Sequence, residues 1–362
     1  MRVLHVITGM ARAAGTSVFC GEVLRQLSER GHSCRLLVRQ RGEDFYSVGP
    51  NVRVFERGIR KVLADGWRPQ VVHIHALWSP WLLTAYLWAR LHRVPVVWSP
   101  HGMLTPWALS QRRLKKWLAL WMYQWWGLRG ATLLHVTAPS EEEDVRRLRL
   151  PNPVAEIPLG VVVPERMPRR RAEPIRTALF LSRVHPKKGL FDLIEAWAAL
   201  RPKGWRLRIA GPSSGRHAEE VIARARAAGL GEQEVRYLGP VYGAEKDALF
   251  AMASVFVLPT YSENFGAVVL EALAQGCPVV TTRETPWRVL EEQRCGWWIE
   301  VGVPALIQTL KRVFALSEKE LLDCGKRGYV LARKSYSWSA IGLLSEDAYG
   351  RVLAKGEGGD ES

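Results

Sequence analysis

Two parallel, doubly wound α/β domains are the fold class this sequence predicts, on three observations. Short apolar strands alternate with amphipathic helical stretches through the first half of the chain. A proline-containing basic stretch, residues 163–174, has no apolar period and reads as a linker. The alternation then restarts and runs to a final helix at 336–353. Strands alternating with helices bury a parallel sheet between helical layers.

In chain order, residues 2–7 form the first strand. They are too short an apolar run for a signal peptide, and Gly9 breaks them. Residues 18–30 are helical and stop at Gly31. Strands follow at 33–38, 71–75, 94–98 and 131–136. Beyond the linker, 178–181, 205–210, 235–238, 255–258 and 278–281 read as strands, and 191–200 and 218–228 as helices. The expected domains are 1–165 and 166–335, facing each other across a cleft, with 336–362 packing back on the first. Ligands of open α/β sheets sit beyond the carboxyl ends of the strands.

The chain's 362 residues exceed one ordinary core and suit two domains. Its 48% hydrophobic and 24% charged content is that of a soluble globular protein, and no apolar run reaches the length of a membrane span. The five cysteines are odd in number and scattered, without CxxC spacing, which suggests a reducing cytoplasm and no zinc site. A net charge of +16 attracts nucleic acid, anionic lipid and phosphorylated ligands alike and selects none of them.

The most informative segment is Glu263-Asn264-Phe265-Gly266-Ala267-Val268-Val269-Leu270-Glu271. It follows an apolar strand and opens a helix. The amides of Asn264, Phe265 and Gly266 then lie at the positive end of the helix dipole, a place for a diphosphate. One carboxylate can meet a sugar and the other a ribose; the plainer alternative is a capped helix with a solvated glutamate. Arg183 and Lys188 lie in the loop after the strand at 178–181. Either they converge on one pyrophosphate, the fork of Arg beside the point charge of Lys, or the loop is simply a solvated basic turn. Gly15, before the first helix, either lets a ligand approach the backbone or is a turn glycine; the loop lacks GxGxxG. His101 follows a strand and precedes Gly102, whereas His5, His73, His75 and His135 fall within strands, where a hydrogen-bonded structural role is the default.

The ordered set Ser182-Arg183, Lys188-Gly189, Gly239, Glu263 to Glu271 and Gly276-Cys277-Pro278-Val279-Val280 resembles the retaining GT-B glycosyltransferases of family 4. So do Pro100-His101-Gly102, His135-Val136-Thr137-Ala138-Pro139-Ser140-Glu141 and Ile157-Pro158-Leu159-Gly160-Val161, in the style of bacterial members that build exopolysaccharide or O-antigen. Leu159 stands where the family usually has Asn, and Ala14-Gly15 where it often has Gly-Gly.

The resemblance implies that Glu263 contacts the transferred sugar and Glu271 the ribose hydroxyls. Arg183, Lys188 and the amides of Phe265 and Gly266 would stabilise the leaving diphosphate. His101 would lie near the reacting sugar, and Gly15 would line the first-domain side. The donor would be a nucleoside-diphosphate sugar and the acceptor lipid-linked or saccharide. With no Asp-x-Asp in the chain, transfer is expected to need no metal and no other cofactor. The base pocket is expected around Gly239-Pro240-Val241-Tyr242.

Residues 112–126 read as an amphipathic helix with cations at its start and Trp117, Trp121 and Trp125 on one face. That face either packs on the first sheet or lies on the inner face of the cytoplasmic membrane. Two other readings stand beside the transferase: a GT-B phosphorylase or sugar-phosphate synthase with a soluble acceptor, and a non-catalytic protein binding membrane or nucleic acid. The chain carries no nucleic-acid motif.

Overall fold

The structure is a computed structural model that describes every residue except 12, 13, 112, 170–172 and 358–362; the side chains of 107 and 355–357 are also outside the description. The chain divides into two compact units. Unit 1 is Met1–Gly160 with Trp338–Ser362, and unit 2 is Val161–Ser337.

Unit 1 holds seven strands: β1 (Arg2–Ile7), β2 (Ser33–Val38), β3 (Arg53–Glu56), β4 (Val71–His75), β5 (Val96–Ser99), β6 (Leu133–Val136) and β7 (Val154–Glu156). They form one parallel sheet in the order β3-β2-β1-β4-β5-β6-β7. Unit 2 holds β8 (Arg176–Leu181), β9 (Trp205–Ala210), β10 (Val235–Tyr237), β11 (Val255–Leu258), β12 (Val279–Thr282) and β13 (Gly296–Ile299). They are also parallel, in the order β10-β9-β8-β11-β12-β13. In each unit the winding direction reverses beside the first strand, between β1 and β4 and between β8 and β11. That switch point is where a doubly wound sheet opens a crevice.

The central strands are buried on both faces and read as near-continuous apolar runs, so sequence patterning finds them. β3, β7 and β13 were not anticipated. They are edge strands of three or four residues, partly solvated, and their sequences Arg-Val-Phe-Glu, Val-Ala-Glu and Gly-Trp-Trp-Ile carry no long apolar run.

One face of the first sheet presents Val3, Ile7, Val71, Val97 and Leu133 to helices Gly15–Glu29 and Trp338–Glu357. The other presents Leu4, Val6, Val72, Ile74 and Trp98 to helix Pro80–Leu91 and the segment ending at Arg129. The boundary between units falls at Gly160 rather than 165. Ile157 is buried in the core of unit 1, and an added Cβ on Gly160 would strike the Trp338 ring at 2.4 Å. Val161 instead bonds to the Tyr336 carbonyl, inside unit 2. The second boundary lies at Ser337 rather than 335.

The 112–126 stretch is not one regular helix, and Arg112 lies outside the described residues. Helix Arg113–Ala119 passes into a π turn, Leu120–Gln124, before helix Trp125–Arg129. The π turn adds a residue per turn, which rotates the following face. Trp125 therefore turns inward, packs on the core and donates Nε1–H to the Leu148 carbonyl. Trp126 takes its place outside. Leu114, Trp117, Leu118, Trp121, Met122 and Trp126 are all exposed, Trp121 at 75%. The expected grouping of Trp125 with Trp117 and Trp121 is thus corrected, and packing of those two on the sheet does not occur.

Candidate functional site

In unit 2 the loops after β8 and β11 flank the switch point, and several contacts stitch them together. Tyr261 N and Thr260 Oγ1 both donate to the Lys187 carbonyl, at 2.8 and 3.1 Å. Thr282 Oγ1 donates to the Thr260 carbonyl at 2.6 Å, which adds the end of β12. Gly189 (φ 69°) lies where a Cβ would stand 1.9 Å from the Pro259 carbonyl oxygen, so only glycine lets the loops approach this closely.

This convergence brings Lys188 against Glu263: the ammonium donates to Oε1, and both side chains are largely shielded from solvent. Arg183, on the same loop, is exposed and has no ion-pair partner among the described residues. Glu271 lies on helix Ala267–Ala274 and accepts from Lys246 Nζ at 2.7 Å. Lys246 was not anticipated. It comes from a different helix, Gly243–Met252, and nothing in the local sequence marks it.

The amides of Asn264, Phe265 and Gly266 donate to no protein acceptor among the described residues. The Phe265 carbonyl, by contrast, is held by Trp287 Nε1 at 2.6 Å, and the two rings lie 5.2 Å apart. Gly266 takes φ 74° at the start of the helix, which sends the backbone from loop into helix. The result is a strand-end crevice with a fixed turn, three unbonded amides and nearby cations. Of the expected base-pocket residues, Val241 is buried and Tyr242 is 70% exposed. A cavity of about 530 Å³ against helix His217–Ala227 contains none of the predicted residues.

In unit 1, His101 sits after β5 in the left-handed region (φ 52°), followed by Gly102 at 72°. Two consecutive left-handed residues make a sharp, strained turn. Glu141 holds it. This carboxylate, fully buried, accepts from Gly102 N and from Thr137 N and Oγ1, the last two at 2.8 Å. Burial raises its pKa, and the three donors oppose that rise. Sequence reading quoted Glu141 without a role, because its partners are 4 and 39 residues away.

Gly15 opens helix Gly15–Glu29, and an added Cβ there would meet open space, so packing within unit 1 does not demand glycine. A cavity of about 520 Å³ lies beside it, lined by Thr8, Gly9, Ala14 and Glu43 among others. His5, His73, His75 and His135 are strand residues, fully buried, as their positions suggested. The structure therefore brings Lys188, Glu263 and residues 264–266 together in unit 2, with Glu271 paired to Lys246. His101 and Gly15 belong to unit 1.

Residues 165–330 match the family described as Glycosyl transferases group 1, and residues 13–163 match Glycosyltransferase Family 4. This is the GT-B glycosyltransferase fold. Sucrose-phosphate synthase from Thermosynechococcus elongatus superposes with a TM-score of 0.74 at 18% identity, over 98% of this chain and 100% of the other. Anabaena Alr3699/HepE, solved in complex with UDP and glucose, gives 0.70 at 16% identity, over 97% and 100%. By sequence, the D-inositol 3-phosphate glycosyltransferase of Corynebacterium glutamicum (strain R) is 33% identical over 198 residues, which is 52% of this chain and 47% of the relative. The chain thus spans about half the length of the curated relatives it matches. Among the described residues no helix is long and apolar enough to cross a membrane.

Proposed function

We propose that this GT-B chain is a retaining glycosyltransferase that moves a sugar from a nucleoside diphosphate to a lipid-linked or oligosaccharide acceptor in cell-surface polysaccharide synthesis. The observation that carries the reading is the meeting of Lys188 with Glu263 beside three unbonded amides at a topological switch point. Cleavage of a glycosyl–phosphate bond leaves negative charge on the diphosphate and positive charge on the sugar ring. Lys188, Arg183 and the amides of Asn264, Phe265 and Gly266 stabilise the first, and Glu263 the second. When the donor enters, Lys188 exchanges the Glu263 carboxylate for phosphate oxygen and frees that carboxylate for the sugar. Glu271, steadied by Lys246, takes the ribose hydroxyls. The acceptor oxygen bonds to the anomeric carbon on the face the diphosphate leaves. Its proton passes to the departing phosphate oxygen, so configuration is retained. Cations on the chain serve the diphosphate, and we expect no metal requirement. Among the solved structures of this fold, HepE holds UDP and glucose, which supports a nucleotide-sugar donor.

The acceptor half of the proposal rests on unit 1. No Asp or Glu occurs between Asp65 and Glu141, whereas Arg90, Arg93, Arg113, Lys115 and Lys116 fall in that span. The exposed Trp117, Trp121 and Trp126 share it, as do exposed Leu87 and Leu91. Apolar side chains flanked only by cations suit an anionic bilayer surface that carries a lipid-linked acceptor. A soluble acceptor is the second reading, favoured by the names of the inositol phosphate and sucrose-phosphate relatives. Pelleting with anionic and neutral vesicles separates the two: equal pelleting with both removes the membrane surface.

The donor test is thermal melting in EDTA with UDP, GDP, ADP and dTDP. A ligand at a hundred times its Kd adds about 2.7 kcal/mol of stability. A shift with one diphosphate identifies the base and supports a metal-independent site. No shift with any of them, in EDTA or with magnesium, would overturn the donor assignment.

A further inference from the structure

Among the buried polar residues of unit 1, a row of histidines with Ser99 stands in register on one sheet face. His5 pairs with His73 across β1 and β4, and His75 with Ser99 across β4 and β5. They form one hydrogen-bonded file whose direction is fixed at a single end. The Ile157 carbonyl can only accept, so His135 Nε2, 2.8 Å away, carries the hydrogen.

Burial lowers His135 to about 4 and His5 and His101 to about 3, and holds His73 and His75 well below the usual range. At neutral pH each ring therefore has one N–H. His135 Nδ1 is then a lone pair, and Ser99 Oγ must donate to it at 2.5 Å. With its only hydrogen used, Ser99 accepts from His73 Nε2 at 2.6 Å. His73 Nδ1 accepts from the Tyr349 hydroxyl at 2.6 Å, and that hydroxyl accepts from His5 Nε2 at 3.2 Å. His5 Nδ1 accepts from His75 Nε2 at 2.9 Å, with Cys20 Sγ at 3.7 Å as a weak second donor. His75 Nδ1 accepts from His101 Nε2 at 3.0 Å. No other placement of hydrogens satisfies every link.

We infer that this file locks His101 as the Nε2–H tautomer and leaves its Nδ1 a bare lone pair, so that His101 receives a hydroxyl and not a phosphate oxygen. Nδ1 has no partner among the described residues. The inference deepens the proposed function, since it rests on His101 meeting the sugar or the acceptor. The other residues of the file are positioning residues, and Tyr349 comes from helix Trp338–Glu357 at the far end of the chain. A metal is the competing use of the cluster, because nitrogens of His5, His73 and His75 lie within 4.8 Å of one another. The file already engages both nitrogens of all three rings, so an ion would have to break it.

The test is a long-range ¹H–¹⁵N correlation spectrum of the full chain labelled at histidine, at pH 7 without substrate. His101 is assigned by its loss in His101→Gln. The expected result is an Nε2–H pattern for all five rings. Tyr349→Phe removes the acceptor of His5 Nε2–H and the donor to His73 Nδ1. It should let His5, His75 and His101 reverse together and shift hydrogen onto His101 Nδ1, although Tyr349 reaches His101 only through two other rings. Ser99→Ala cuts the same file if the tyrosine variant does not fold. An Nδ1–H His101 in the wild type, an unchanged tautomer in a folded variant, or zinc shifting His5, His73 and His75 together would each overturn the inference. These spectra involve no sugar nucleotide, so a failed donor assignment leaves them readable.

Discussion

The two units share a strand order beside their first strands yet furnish the switch point in opposite ways. In unit 2 the crevice is charged: Lys188 with Glu263, Lys246 with Glu271, exposed Arg183 and three unbonded amides. In unit 1 the same region is built from neutral imidazoles and hydroxyls that satisfy one another until, among the described residues, His101 Nδ1 is left over, with the buried Glu141 carboxyl holding the turn beside it. Outside that region, unit 1 exposes tryptophans and cations along 113–129 without a single acidic side chain. Similar topology therefore carries a charged crevice in one unit, which we propose takes a diphosphate, and a file of imidazoles and hydroxyls in the other, which we propose reads a hydroxyl. Fold alone does not assign chemistry to a switch point.

Acid should break the symmetry first and most strongly. His5, His73, His75 and His135 are fully buried, with folded pKa values far below the ordinary 6.5. The unfolded chain takes up protons near pH 6.5, but the folded chain does so only well below that, at about 4 for His135 and about 3 for His5. Their stabilisation is thus present above about pH 6.5 and is lost as pH falls toward the folded values. Each group contributes at most about 1.4 kcal/mol per pH unit. Hydrogen exchange between pH 7 and 4 should show β1 and β4 losing protection while β8 and β9 keep theirs. Equal loss in both units would contradict the account.

The second prediction sharpens the charged side. Glu263→Ala should leave less than about 1% of transfer activity, a loss of about 2.7 kcal/mol of transition-state stabilisation. Retained activity above about 10% would count against Glu263 facing the sugar. Third, Gly189→Ala should destabilise unit 2 by about 2 kcal/mol or more, because its Cβ meets the Pro259 carbonyl at 1.9 Å and φ is left-handed. A thermal melt near that of the wild type would show that the two loops are not held as described. The smallest effect on stability belongs to the surface of unit 1. Replacing Trp117, Trp121 and Trp126 together with Ser should change stability by within about 1 kcal/mol, as these side chains are exposed. The same variant should lose most of its pelleting with anionic vesicles; unaltered pelleting would place any lipid contact elsewhere.

Much of this was legible in the sequence. The strands Arg2–Ile7, Ser33–Val38, Val71–His75, Trp205–Ala210 and Val255–Leu258 stand where their apolar residues placed them, since central strands of a parallel sheet are rich in apolar residues, even where half-buried Arg206 and Arg208 alternate with them. The loop carrying Glu263 to Gly266 was legible for a similar reason: a strand, a glycine and a helix start leave local marks. Lys246 left none, because its partner Glu271 reaches it from another helix. Trp125 was misassigned because ideal helical spacing cannot anticipate a π turn.

What the sequence determined by itself is the alternation of elements, the two sheets and which residues stand in the loops beyond β8 and β11, all set by local periodicity and turn residues. Only the tertiary structure decided the rest. The meeting of Lys188 with Glu263 spans 75 residues, and the file from His135 to His101 needs four parallel strands in register and a hydroxyl from Tyr349, 344 residues from His5. Hydrogen-bond direction belongs to a whole chain of donors and acceptors, and that chain exists only once distant segments are packed together.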